Sequence, residues 1–391
     1  MNKYKLIPEL RFPEFANEEE WKIKELSELG DLINGLTYSP EDIRDNGLLV
    51  LRSSNIQNGV IDLKDCVFVR ADIKGANLLA KNDILVCVRN GSKDLIGKNA
   101  IIPQGIPLAT HGAFMTVFRA NKPESVFQLF QTNFYDTQVK ADLGATINSI
   151  NGKNFLKYEF PVPSNPNEQQ KIASCLSFLD EVIAAHSQKL EALKDHKKGL
   201  MQNLFTQEGE TVPKYRFPEF VGDRNWVVKS FEQLFEIGNG RDYKHLSKGN
   251  IPVYGSGGYM LSVNDYLYDG ESVCIGRKGT IDKPMFLTGK FWTVDTLFYT
   301  HSFNDCVPIF IYYIFQNINW RSHNEAGGVP SLSKTNLYKI EVFIPKPKEQ
   351  QKIASCLSSI DKLITEQGAK IEQLKLYKKG LMQGLFPKVN D

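Results

Sequence analysis

The chain contains itself nearly twice. Glu168-Gln-Gln-Lys-Ile-Ala-Ser-Cys-Leu-Ser177 returns unchanged as Glu349-Gln-Gln-Lys-Ile-Ala-Ser-Cys-Leu-Ser358, an offset of 349 − 168 = 181. Lys197-Lys-Gly-Leu-Met-Gln202 recurs at the same offset as Lys378-Lys-Gly-Leu-Met-Gln383. A second repeat opens each half: Arg11-Phe-Pro-Glu-Phe15 returns as Arg216-Phe-Pro-Glu-Phe220, then Trp21 as Trp226 and Asn34-Gly35 as Asn239-Gly240, with an offset of 216 − 11 = 205. The first half therefore carries 205 − 181 = 24 extra residues between a shared opening and a shared closing element. Repeated ends around unequal middles predict one frame holding two different inserts.

The closing element reads as a long helix. From Asn167 to about Phe205 there is no proline, and Ile172, Leu176, Leu179, Ile183, His186, Leu190 and Leu193 follow the 4-3 spacing of a coiled-coil seam. The second copy supplies Ile353, Leu357, Ile360, Ile364, Gln367, Ile371 and Leu374. At ~1.5 Å per residue each helix spans roughly 55 Å. Helix one ends where the second middle domain starts, and helix two starts where that domain ends. Since domain termini lie close together, the helices are expected to pair antiparallel, with one variable domain at each end of a rod and a pseudo-two-fold between them. His186 and Gln367 share a seam position; they form either a polar layer that sets register or two groups reaching solvent at the seam edge. The expected fold is α+β, with boundaries 1–165 (domain 1), 166–206 (helix 1), 207–347 (domain 2) and 348–391 (helix 2).

The variable domains are short β-rich runs broken by Gly, Asn and Pro. Ile84-Leu-Val-Cys-Val88 precedes Arg89, Asn90, Ser92 and Lys93, and Ser272-Val-Cys-Ile275 precedes Arg277, Lys278 and Thr280. Each is a strand ending in a glycine turn that carries the groups used to meet phosphates and guanine edges. Other polar turns hold Arg52, Ser53 and Asn55, then Tyr254 and Ser256, and finally Lys334. His111, in Ala109-Thr-His-Gly112, has no nearby nucleophile or carboxylate pattern, so its polar turn favours a DNA-contacting or a hydrogen-bonding role over catalysis. Any one of these turns is ordinary; their recurrence in both halves is what points to DNA.

A chain of 391 residues with 42% hydrophobic content can build two or more cored domains. It has no apolar run of about 18 residues and no cationic, apolar leader, so a cytoplasmic location is expected. The six cysteines form no C-x-x-C pair and read as buried thiols, without zinc or disulfides. A net charge of +2 accommodates nucleic acid without arguing for it. There is no G-x-x-x-x-G-K-[ST] loop and no [D/N]-P-P-[Y/F] stretch, and Gly255-Ser-Gly-Gly258 lacks the third glycine of a dinucleotide fingerprint. Asp62-Leu-Lys64 and Asp72-Ile-Lys74 have no second acidic ligand placed with them. No catalytic residue, metal or cofactor is expected.

The repeats, with Ile251-Pro-Val-Tyr-Gly-Ser-Gly-Gly258, resemble the specificity (S) subunits of type I restriction-modification systems along the whole chain. The resemblance implies two target-recognition domains, each reading half of a split, asymmetric double-stranded DNA site. It implies helices that separate them and dock two methyltransferase (M) subunits, and nuclease-translocase (R) subunits that join through the complex. The chain itself would be non-catalytic, within an adenine-N6 methyltransferase and endonuclease assembly. Met201, Phe205, Met382 and Phe386 widen the apolar stripe at the helix ends and are candidates for M docking, unless the chain's own domains fold over them. The competing readings are a stand-alone methyltransferase or nuclease fusion and a coiled-coil scaffold that never touches DNA.

Overall fold

The computed structural model describes residues 6–143, 148–207 and 210–388. The chain forms two compact units, Met1–His186 with Lys370–Asp391 (unit 1) and Ser187–Ala369 (unit 2).

Unit 1 begins with strands Lys22–Glu25 (β1), Gly30–Asn34 (β2), Ile43–Arg44 (β3) and Leu48–Leu51 (β4). A hairpin of Ile56–Gln57 (β5) and Val60–Ile61 (β6) precedes Val67–Val69 (β7), Ile84–Cys87 (β8) and Asn99–Ile101 (β9). Ala109–His111 (β10) and Met115–Ala120 (β11) lead into helices Pro123–Leu129 (α1), Asn133–Asp142 (α2) and Gly152–Phe155 (α3). Glu159–Val162 (β12) then meets the long helix Pro166–Leu204 (α4). Two four-stranded sheets result, β2-β11-β8-β9 and β10-β4-β7-β3, plus the pair β1-β12. Leu48–Leu51 and Ile84–Cys87 are uninterrupted apolar runs because both faces of their strands are covered; every residue in them is buried.

Unit 2 repeats this plan. Its strands are Val227–Ser230 (β13), Glu236–Asn239 (β14), Lys248–Gly255 (β15), Gly258–Val263 (β16), Tyr268–Asp269 (β17) and Ser272–Gly276 (β18), with the short helix Phe231–Leu234 (α5) between the first two. Met285–Leu287 (β19), Lys290–Thr293 (β20) and Leu297–His301 (β21) follow, then helices Pro308–Asn317 (α6) and Lys334–Tyr338 (α7), strand Glu341–Ile344 (β22) and the second long helix, Pro347–Leu385 (α8). The sheet β14-β21-β18-β19 matches β2-β11-β8-β9 strand for strand. Each unit also has one parallel pair, β4 with β10 and β15 with β20.

The arginine, first phenylalanine and glutamate of the Arg-Phe-Pro-Glu-Phe repeat each have a task in this frame. Arg11 donates from Nε and Nη2 to the two carboxylate oxygens of Glu168, both at 2.8 Å, in the first turn of α4. Trp21 Nε1 adds a third bond to Glu168 at 3.3 Å. Arg216, Trp226 and Glu349 repeat the set at 2.8, 2.8 and 3.3 Å. A carboxylate in a helix's first turn is also favoured by the helix dipole. Phe12 and Glu14 receive Lys171, as Phe217 and Glu219 receive Lys352. The two repeated motifs are therefore the two halves of one clasp.

Within unit 1 the start of α4 and the end of α8 run in opposite directions: Ile172 and Leu176 share a core with Leu385 and Phe386, and Asp180 accepts Lys378 Nζ at 2.6 Å. Within unit 2 Met201, Leu204 and Phe205 share a core with Ile353 and Leu357, and Lys197 meets Asp361 at 2.7 Å. The proposed seam residues are buried or half-buried at every position, including His186 and Gln367, while Glu191, Lys194 and Asp195 are exposed.

The helix-end apolar residues do not form a docking surface. Met201, Phe205 and Phe386 are 8%, 4% and 6% exposed and Met382 packs against the same core as Phe386. Trp21 sits edge-on to Phe386 with centroids 5.8 Å apart, and Trp226 to Phe205 at 6.3 Å. The chain's own aromatic residues cover the surplus stripe.

Candidate nucleic-acid interface

Four turns converge at one end of the sheets in each unit. In unit 1 the turn after β4 (Arg52–Asn55) meets the turn after β8, where Asn90 Nδ2 donates to Ser53 Oγ at 3.0 Å. The loop before β11 is tied to the same turn, since Val88 N and Arg89 N both donate to Phe114 O at 3.1 Å. The segment before α3 completes the cluster through a bridge between Arg89 and Ser149 and a bond from Asn148 Nδ2 to Gly91 O at 3.2 Å.

Unit 2 builds the same junction. Arg277 N and Lys278 N both donate to Thr296 O, at 2.8 and 3.3 Å; Lys278 bridges Ser331; and Gly279 N donates to Pro330 O at 2.9 Å. A Cβ on Gly279 would lie 3.3 Å from Ser256 Oγ, the place where Asn90 reaches Ser53 in unit 1. Between the turn of the β15-β16 hairpin, the segment after β14 and the loop before β21 lies a cleft of about 720 Å³ lined by Tyr243, Lys244, Ser256, Tyr259, Met260 and Asp295.

The hydrogen bonds fix which residues correspond. Leu51 faces His111 across the parallel pair as Tyr254 faces Thr293, offsets of 254 − 51 = 203 and 293 − 111 = 182. Cys87 pairs with Met115 as Gly276 pairs with Leu297, so Arg89 matches Lys278 (278 − 89 = 189), and Arg277 matches Val88. Arg89 and Arg277, the arginines of the two strand-end turns, are therefore one position apart. Of the 24 extra residues in the first half, 203 − 189 = 14 fall between the first and second turns, where unit 1 carries the hairpin β5-β6 and strand β7. A further 189 − 182 = 7 fall between Arg89 and His111.

The repeated Asn-Gly has its reason here. A Cβ on Gly35 would collide with the Gly112 carbonyl, and one on Gly240 with the Val294 carbonyl, where the chain leaving β2 or β14 crosses the loop before β11 or β21. Only glycine lets these backbones approach.

The individual side chains divide. Arg89, Ser92, Lys93, Arg277 and Lys278 are exposed, and Arg52, Ser53, Asn90, Tyr254, Ser256, Thr280 and Lys334 are half-buried. Arg52 is engaged by Asp65 at 2.8 Å. Lys334 Nζ lies over the Tyr338 ring of its own helix, 5.3 Å from the centroid. Two expected DNA contacts are internal. Asn55 is fully buried, donating to Asp62 O and Asp65 O, and it shapes the turn without reaching its surface. His111 is fully buried on β10 with Nε2 3.0 Å from Ile33 O, and burial holds its pKa below 6.5. Its chain neighbours Ala109-Thr110 read as a turn but are a strand covered on both faces.

Sequence reading missed Phe114 (59% exposed), Tyr259 (62%) and Val329 (67%), the large apolar side chains at the rims of the turns. Their periodicity carries no signal because they lie in or beside irregular turns. Burial pushes the Cys306 thiol to about 11 and that of Cys274 to about 12, so neither is a thiolate at neutral pH. Among the described residues no His, Cys, Asp and Glu side chains gather as a metal site, and no helix is long and apolar enough to cross a membrane.

The family model for the type I restriction modification DNA specificity domain matches the chain twice, over residues 18–195 and 223–376. A putative type I restriction enzyme specificity subunit, MjaX, from Methanocaldococcus jannaschii is 27% identical over 402 residues, covering 94% of this chain and 93% of that protein. The StySPI specificity subunit of Salmonella potsdam is 29% identical over 196 residues, 47% of this chain and 42% of that protein, so this match spans less than half of that relative. The EcoKI specificity subunit of Escherichia coli K12 is 30% identical over 248 residues, 59% of this chain and 52% of that protein. The type I restriction-modification S subunit from M. genitalium shares the fold, with a TM-score of 0.70 at 19% identity over 98% of this chain and 100% of that one. On the two matched segments, which together take in most of its residues, the chain belongs to the type I restriction-modification DNA specificity family.

Proposed function

We propose that this chain is the DNA-reading subunit of a type I restriction-modification complex, each unit reading one half of a bipartite, asymmetric site. The observation that carries this reading is the four-turn junction, which recurs with the same backbone hydrogen bonds and different side chains in the two units. One scaffold with two sets of side chains is what two unequal half-sites require. Arg89, Lys93, Arg277 and Lys278 supply the exposed cations, and Tyr254, Ser256, Thr280 and the clasped Arg52 and Ser53 shape the contact surface. The chain itself performs no chemistry and works in the cytoplasm with methyltransferase subunits that modify adenine and nuclease-translocase subunits that cut.

The helices α4 and α8 set the spacer and receive the methyltransferase subunits. Exposed Phe178, Leu376 and Tyr377 in unit 1, 64%, 68% and 59% exposed, are apolar helix residues left uncovered, and they replace the buried Met201, Phe205, Met382 and Phe386 as the docking candidates. Methylome sequencing of a host carrying the chain with its methyltransferase tests the reading: a bipartite motif is expected, and an uninterrupted palindrome or no motif would overturn it. Inserting one heptad into both helices should lengthen the spacer and leave both half-sites unchanged.

A further inference from the structure

The one-residue shift between the two junctions separates two arginines that look alike in sequence. Val88 is half-buried and packs against the core shared with the long helices, so a side chain at its position turns toward that core. Arg277 holds this position in unit 2 and obeys it: the guanidinium lies 6.0 Å from the centroid of buried Phe298, with Nη1 3.5 Å from Asp295 O. Arg89 is the next residue, and its environment differs. Its guanidinium sits 5.8 Å from the centroid of Phe114, an exposed ring at the rim of the junction. Among the described residues the Arg89 side chain gives no hydrogen bond to a protein acceptor.

A guanidinium with one face on an aromatic ring keeps its plane while its N–H fork faces outward. Such a fork matches the paired O6 and N7 acceptors of guanine in the major groove. The neighbouring amide cannot compete for the role, because Asn90 gives Nδ2 to Ser53 and accepts Ser92 N on Oδ1. In unit 2 the matching position is Lys278, a point charge without a fork. We infer that Arg89 reads a guanine in the unit 1 half-site through a bidentate contact, whereas Arg277 contributes charge and position without reading a base. This rests on the DNA-reading function proposed above.

The test uses the full chain assembled with its methyltransferase subunits, and duplexes in which each base pair of the methylome-defined site is replaced singly. Wild type is expected to reject replacement of one G·C pair in one half-site by roughly tenfold to a hundredfold. Arg89→Ala and Arg89→Lys should both flatten that position alone, since lysine keeps the charge and loses the fork. Arg277→Ala should weaken every duplex alike and lessen the salt dependence. Retained discrimination in Arg89→Lys, or loss of a single base preference in Arg277→Ala, would overturn the inference. Equal binding of all duplexes by wild type would instead remove the DNA-reading function beneath it. Melting curves identify any variant that has lost its fold, and both side chains are exposed.

Discussion

Arg11 and Glu168, 157 residues apart, are joined by two parallel hydrogen bonds of 2.8 Å in a nearly solvent-free clasp. Removing one partner of a buried pair leaves the other charge uncompensated. Glu168→Gln is predicted to destabilise unit 1 by about 3 kcal/mol, and Glu349→Gln unit 2 by a similar amount. Urea unfolding followed by the fluorescence of Trp21 or Trp226 checks this, and a loss under about 1 kcal/mol in both would show the clasp to be dispensable.

Buried His111 links unit 1 to pH. Its pKa lies below 6.5 in the folded state because burial disfavours the charged ring, so the unfolded chain binds a proton that the folded chain refuses. The resulting stability is complete above about 6.5 and is lost as pH falls from there through the folded value. The urea midpoint of unit 1 should drop between pH 7 and pH 5, and His111→Gln should flatten that slope. A slope unchanged by the substitution would assign the pH dependence to other groups.

Gly35→Ala and Gly240→Ala put a methyl group into a backbone carbonyl that cannot move without the loop it belongs to. Each is predicted to cost about 2 kcal/mol and to weaken DNA binding. Gly91, which has nothing within 4 Å of an added Cβ, is the control: Gly91→Ala should leave stability within about 0.5 kcal/mol of wild type. Thermal melts and a binding isotherm on one duplex distinguish these outcomes.

Phe386→Ala should cost about 3 to 5 kcal/mol, the range for emptying a large aromatic site in a core. A variant that kept full stability while shedding a methyltransferase subunit would return Phe386 to the surface role first expected of it. Denaturation and native mass spectrometry on one preparation read both quantities.

The long helices were legible because the 4-3 spacing of Ile172, Leu176 and Leu179 is a local signal, and the unit boundary falls close to His186 and Gln367. The clasp was visible only as two unexplained repeats. Arg11 and Glu168 are each duplicated because they bind each other, but no spacing rule states such a pairing. The junction was half legible: the strand-end turns bearing Arg89 and Arg277 were recognisable, but their residue-by-residue correspondence was not. Register is set by paired amides, and the same doubled amide at Phe114 O and Thr296 O matches Val88 with Arg277 and Arg89 with Lys278, which letters do not reveal. His111 and Asn55 misled for a related reason, since polar residues beside glycine suggest surface turns while their burial depends on strands and loops distant in sequence.

Unit 1 closes its core with Leu385 and Phe386, and all of unit 2 lies between those residues and the rest of unit 1. During synthesis the half that leaves the ribosome first must therefore wait for the last helical turns to arrive, while residues 187–369 complete themselves from one uninterrupted stretch. A chain stopped after Ala369 is predicted to resist protease over 187–369 and to be cut within 1–186; equal protection of both would refute this order. Completion of the first reader thus certifies that the second has been made, and a truncated chain exposes its unfinished core to degradation before it can compete for DNA.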